Sequence, residues 1–187
     1  MALENRIVII VDNSNIFIEG QKYSAKVKGA ARHEGDMHDP QDPSWRIDFG
    51  KLLELVANGR IVSHAILVGS RPPTNDSVWH AAEEHGFQVT VHERSTSNKE
   101  KAVDTELVAQ GTEIVCTSNK PQYIAILSGD RDFIPLVNVA QKRGWSVEMW
   151  AFKNAFRENG QMAMTVDNIC PLDDIFPEIG QNAFEWP

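Results

Sequence analysis

A chain of 187 residues with 42% hydrophobic residues, five Trp and eight Phe can bury one sizeable core, and its length suits one domain or one domain with a tail. Its net charge of −8 argues against coating nucleic acid by bulk attraction, though not against carboxylates that bind cations. The MALENR start is charged and the longest aliphatic run is Ile7–Val11, so neither a signal peptide nor a membrane span is expected. Cys116 and Cys170 lack CxxC or Cys/His company and read as reduced thiols of a cytoplasmic protein.

The first predicted strand, 6–12, holds IVIIV at Ile7–Val11 and ends in Asp12-Asn13-Ser14-Asn15. An unbroken apolar run of this length belongs to a strand covered on both faces. A helix follows over 14–25. From Gln21 to His33 the charges are Lys22, Lys26, Lys28 and Arg32, with no acid. This stretch reads either as a solvated helix face running into a loop or as a basic arm that meets phosphates. Residues 26–45 are polar and aperiodic with Gly and Pro, a loop long enough to be functional or disordered.

Next come a helix over 47–58 with Asp48 as N-cap, a strand over 61–69 and a helix over 75–85 with Thr74 as N-cap. A strand over 87–92, a helix over 100–117 and a strand over 122–128 follow. The chain continues with a helix over 132–143, a strand over 146–151 and a helix over 155–164. Pro135 falls in a first turn, where its missing amide costs nothing. Asn58-Gly59, His85-Gly86 and Arg143-Gly144 each sit where a helix ends and a strand begins, the place for positive φ. His64, mid-strand, reads as a structural histidine. The tail after Pro171 carries Phe176, Phe184 and Trp186, aromatics expected to dock on the body or on a partner.

Helices alternating with apolar strands through short Gly turns specify βαβ units. The expected fold is α/β, three layers with a parallel sheet of about five strands in the order 3-2-1-4-5. The 1-171 segment forms the domain and 172-187 a tail. In that order strands 6–12 and 122–128 are central neighbours. Ligands of open α/β sheets bind beyond the carboxyl ends of the strands, where the strand order reverses.

The acids therefore carry the chemistry. The strand Ile124–Leu127 ends in Ser128-Gly129-Asp130-Arg131-Asp132-Phe133, with one carboxylate at the strand end and the next just inside a helix. Each could be a cap or a first-turn acid, yet both could also reach an ion beside Asp12. Asp12 alone could be an Asx turn or helix cap, but desolvating it at a central strand end is costly without a cation or donors. Asp104 tops a helical stripe of 104, 107, 108, 111, 114 and 115, and alone it could be an acid favoured by the helix dipole. Oxygen ligands without Cys or His suit Mg²⁺ or Mn²⁺, with Glu106 in reserve. GxGxxG, GxxxxGK[ST] and GxSxG are absent, so dinucleotide, P-loop and hydrolase-elbow readings have no support. Arg71, Lys99, Lys101, Arg131, Lys153 and Arg157 fall at the carboxyl-end side of the sheet, where phosphate contacts would lie.

VDNSNI at Val11–Ile16, KAVDTELV at Lys101–Val108 and LSGDRDFIPLV at Leu127–Val137 resemble the three motifs of NYN domains, in the PIN-like, Rossmannoid nuclease superfamily. The resemblance spans residues 5–170, and SGDxDF with its following helix, strand and Trp150 is its most specific part. It implies a Mg²⁺- or Mn²⁺-dependent ribonuclease acting on single-stranded RNA. Asp12, Asp104, Asp130 and Asp132 are then the metal and catalytic residues. Asn15 and Ser128 are the polar support implied with them, while Lys101, Arg131 and Arg71 are substrate contacts expected from their place at the carboxyl-end side of the sheet. The polar insert at 26–45 departs from the family pattern.

Two rivals follow from the same residues. A NYN-like module could bind RNA or a protein without turnover, and the tail could serve a homodimer or a protein partner. A phosphatase of the haloacid-dehalogenase type also uses a strand-end Asp, but it needs a second Asp where this chain has Ser14.

Overall fold

The structure, a computed structural model, describes residues 2–32, 35–70, 77–92 and 99–186, with the side chains of 99–101 outside the description. In chain order the elements are β1 (Arg6–Asp12), α1 (Asn13–Val27), β2 (Trp45–Ile47), α2 (Phe49–Ala57), β3 (Ile61–Ser70) and α3 (Ser77–Glu84). Then come β4 (Gln88–His92), α4 (Lys99–Thr117), β5 (Tyr123–Leu127), α5 (Ile134–Lys142) and β6 (Ser146–Ala151). The chain closes with α6 (Gln161–Thr165), β7 (Asn168–Pro171), α7 (Phe176–Ile179) and β8 (Gly180–Asn182).

The main sheet runs β4-β3-β1-β5-β6-β7, with every adjacent pair parallel. The five expected strands stand in the expected order, and β7 adds a sixth at the edge. Ile7 to Val11 are wholly buried, as their unbroken apolar run requires for a strand covered on both sides. Ile7, Ile9 and Val11 pack toward α1, α2 and α3, while Val8 and Ile10 pack toward α4 and α5. This alternation makes the three layers. On the α4 side, Gly111 faces Ile10 and Leu136 so closely that a Cβ would come within 2.7 Å of each. A bare backbone here lets α4 lie close to β1.

The structure departs from the sequence reading at four places. Trp45–Ile47 is a strand paired with Gly180–Asn182, so the helix expected from 47 starts at Phe49; the pairing partner lies far along the chain and leaves no local signal. The helix expected from 132 opens as a 3-10 turn, Arg131–Phe133, before α5. The helix expected over 155–164 is broken: Lys153–Ala155 is a 3-10 turn, and Gly160 turns back on Arg157 (N–O 2.8 Å) before α6 begins. His64 is exposed, not a buried structural histidine. The Asp48 cap is present, its carboxylate accepting from the Lys51 amide at 2.9 Å, whereas Thr74 lies outside the described residues.

The described part of the polar insert is anchored by one buried carboxylate. Asp42, fully buried, accepts from Ser24 Oγ at 2.6 Å and from the Ser44 amide at 2.8 Å, and pairs with Lys28 Nζ at 2.8 Å. Burial pushes its acidity the other way, yet the hydrogen bonds from Lys28, Ser24 and Ser44 hold the carboxyl well below the usual carboxylate range. Two cations of the basic stretch are thus committed to the insert, since Arg32 also donates to the Asp36 carbonyl at 2.7 Å. The tail docks on the body through Leu172 and Ile179, both fully buried, and through Phe176, whose ring stacks on Trp45 with centroids 5.8 Å apart.

Candidate functional site

Val11 is in register with Leu127 across the β1–β5 pair, so Asp12 and Ser128 leave adjacent strands side by side. Asp12 is only 7% exposed. Its Oδ1 accepts from the Asn15 amide at 3.2 Å, capping α1, and its Oδ2 accepts from Ser128 Oγ at 3.1 Å. The Ser128 hydroxyl in turn accepts from the Asp130 amide at 3.2 Å. Asp130 Oδ1 accepts from the Asp132 amide at 2.9 Å. A chain of local hydrogen bonds therefore fixes three of the four acids.

Gly129 has a steric reason to be glycine. A Cβ there would come within 2.8 Å of the Ala155 carbonyl oxygen and 3.1 Å of Phe156 Cβ, so the loop after β6 rests directly on the turn that carries Asp130.

Asp104 arrives from the opposite layer. Leu107, Gly111 and Val115 of its stripe are buried, which turns the same face of α4, and with it Asp104, toward the sheet. It lies in the second turn of α4, past the first turn where the helix dipole acts most strongly. Asp104, Asp130 and Asp132 each offer a carboxylate oxygen within 4.8 Å of the other two. Asp12 joins these three in lining one cleft of about 430 Å³, along with Ser14, Asn15, Ile18, Glu19, Ser70 and Val103. Cap and cleft roles thus coexist at Asp12 and Asp130.

The other expected residues divide. Asn15 lines the cleft, and its buried Oδ1 has no hydrogen-bond partner. Ser128 is fully buried and stands behind the carboxylates, holding Asp12, rather than on the cleft surface where a substrate contact would be. Arg131 is exposed beside Asp130. Arg71 and the Lys101 side chain lie outside the described residues. Glu106, the reserve ligand, faces the other way on α4: it accepts from Gln110 Nε2 at 2.6 Å and lies 4.0 Å from His92 on β4. Sequence reasoning missed Ser70 and Glu19 in the cleft lining. Ser70 was legible as the end of a strand next to β1, and Glu19 as one helical turn beyond Asn15.

Gathered carboxylate oxygens with an unsatisfied amide oxygen beside them form an all-oxygen donor set, the chemistry that suits a hard divalent cation. No described helix is long and apolar enough to cross a membrane.

No curated protein matches the chain. The fold is similar to the crystal structure of a protein of unknown function from Vibrio parahaemolyticus, with a TM-score of 0.65 at 17% identity. That likeness covers 93% of this chain and 96% of the other. The family model of the NYN domain matches residues 6–171, a span that contains all three acidic motifs. NYN domains are a family of metal-dependent nuclease type, and the acidic cluster is compatible with that chemistry. The chain belongs to the NYN domain family.

Proposed function

We propose that this protein is a ribonuclease that hydrolyses phosphodiester bonds of single-stranded RNA with Mg²⁺ or Mn²⁺ at Asp12, Asp104, Asp130 and Asp132. The observation that carries the reading is the meeting of Asp104, Asp130 and Asp132 oxygens within 4.8 Å, from motifs far apart in the chain. Like charges at that spacing repel by several kcal/mol at an effective dielectric of about 20, before screening by solvent. A fold that merely needed caps would have no reason to bring them together.

Asp104, Asp130 and Asp132 would hold the cation, with Asp12 beside them. When bound, it would withdraw charge from the scissile phosphate and favour a hydroxide nucleophile. The chain's own residues then do the rest. Ser128 keeps Asp12 turned into the cleft, and the Asp130 carboxylate fixes the turn that carries Asp132. Asp132, exposed at the cleft edge, would hold the cation directly or through water, or would orient the attacking water. Asn15 Oδ1 can accept a hydrogen bond from a ribose hydroxyl or from that water. An unpaired backbone suits a cleft of this size, and the choice of RNA over DNA follows the family.

The test incubates purified protein with end-labelled single-stranded RNA and Mn²⁺, beside Asp130→Asn. Cleavage by the wild type, reduced at least a hundredfold in the variant, is expected. Equal cleavage in both, or none with any divalent metal, contradicts the proposal. RNA affinity that persists in EDTA without cleavage would favour the non-catalytic binding module.

A further inference from the structure

A cleft lined by acids repels the phosphates of its own substrate, so an RNA backbone must be held by cations placed beside the carboxylates. In the described part of this chain most cations are already committed. Lys22 pairs with Glu19, Lys28 with Asp42, Lys51 with Glu54, Arg60 with Glu148 and Lys120 with Glu4. Lys153 lies 3.9 Å from Asp174, and Arg32, Arg46 and Arg143 donate to backbone carbonyls.

Five described Lys and Arg side chains make neither an ion pair nor a side-chain hydrogen bond: Arg6, Lys26, Arg131, Lys142 and Arg157. Their distribution is uneven. Arg6 opens β1, and Lys26 and Lys142 lie in the last turns of α1 and α5, all at the amino-end side of the sheet. Of these five described side chains, only Arg131 and Arg157 stand at the carboxyl-end side with the acids, and both are exposed. They also belong to one structural unit. Arg131 sits between Asp130 and Asp132, while Arg157 follows the Ala155–Phe156 segment that rests on Gly129. Beyond it, α6 packs against the Arg131–Phe133 turn.

We infer that Arg131 and Arg157 form a phosphate-binding lip over the carboxyl ends of β5 and β6, which holds the substrate backbone as it leaves the acidic cleft. This deepens, and rests on, the ribonuclease reading. The contacts are to backbone phosphates, so the lip positions RNA without choosing its sequence. Arginine suits the task because its planar fork can meet two phosphate oxygens at once. The closeness of the β6 loop to Gly129 ties the lip to the same turn that carries two of the acids. Arg131 and Arg157 are positioning residues here, acting on phosphates away from the reacting one.

The test uses anisotropy of a fluorescein-labelled oligouridylate with the full chain in Ca²⁺, titrated over a series of KCl concentrations. Wild type, Arg157→Gln, Arg131→Gln and the control Lys142→Gln are compared. Each lip variant should weaken binding several-fold and lower the slope of log affinity against log salt by about 0.7, the share of one single-strand phosphate contact. The control should match the wild type. With Mn²⁺ and cleavable RNA, the lip variants should raise KM and leave kcat within about twofold. Lip variants indistinguishable from Lys142→Gln overturn the lip even if the wild type cleaves, and so does a wild type that binds no RNA. Binding with the expected slope changes but no cleavage retains the lip and removes the hydrolase.

Discussion

Two regions of this molecule treat carboxylates in opposite ways. Beneath the insert and on the α1–α2 side of the sheet, the two buried acids Asp42 and Glu148 each stand with their own cation. Asp42 meets Lys28, and Glu148 receives two Arg60 bonds of 2.5 and 3.1 Å plus the Trp150 indole at 3.0 Å. Arg60 also lies over the Tyr123 ring at 4.7 Å. At the carboxyl edge, by contrast, three acids crowd within 4.8 Å of one another. Among the described residues, Asp130 and Asp132 have no ion-pair partner there. The contrast separates carboxylates that hold the fold from carboxylates arranged to hold something else.

The largest losses are expected at the structural pairs. Replacing Arg60 by Leu leaves Glu148 buried and unmatched, and should cost about 3 kcal/mol, or about 6–12 °C in Tm for a chain of this size. Differential scanning calorimetry checks this, and adding Glu148→Leu should restore part of the loss. Asp42→Asn should cost about 2 kcal/mol at pH 7. Because the folded carboxyl titrates below its unfolded value, that contribution is present above about pH 4 and fades as pH falls through the folded value. Urea unfolding should therefore show a smaller gap between variant and wild type at pH 3 than at pH 7.

At the acidic edge the sign should invert. Asp130→Asn keeps the side-chain acceptor for the Asp132 amide but removes one of the crowded charges. In EDTA it should be as stable as the wild type or more so, by up to about 1 kcal/mol. In Mn²⁺ the wild type should gain stability and the variant much less. A smaller effect marks the boundary of the paired region. Burial, with Glu148 nearby, pushes the Cys170 thiol up to about 11, so at pH 8 iodoacetamide should modify the exposed Cys116 well before Cys170. Above about pH 8.5 the unfolded thiol ionises while the folded one stays neutral until about 11, so Cys170 adds to alkaline destabilisation across that window.

Much of this was legible because it is local. IVIIV and IAIL announce strands covered on both faces, and the adjacency of those two strands brings Asp12 and Ser128 together through simple register. The α4 stripe aims Asp104 correctly because its apolar residues must face the sheet. Elements whose cause is distant stayed hidden. β2 exists because β8 pairs with it from the far end of the chain. Asp42 looked like one more polar residue of an aperiodic loop, since its partners Ser24 and Lys28 lie on another element. Glu106 shares the Asp104 helix but points nearly opposite, which a count of acids does not reveal and a helical projection does. Ser128 looked like a surface polar group, yet it is buried where β5 ends against β1.

The gathered acids are expected to form one cation site. Titration of the metal-free protein with Mn²⁺, followed by electron paramagnetic resonance of the free ion, tests it most directly. Saturable binding to the wild type is expected, weakened at least tenfold by Asp104→Asn or by Asp130→Asn and untouched by Glu106→Gln. Unchanged binding in both Asp variants, or no saturable binding in the wild type, would contradict it.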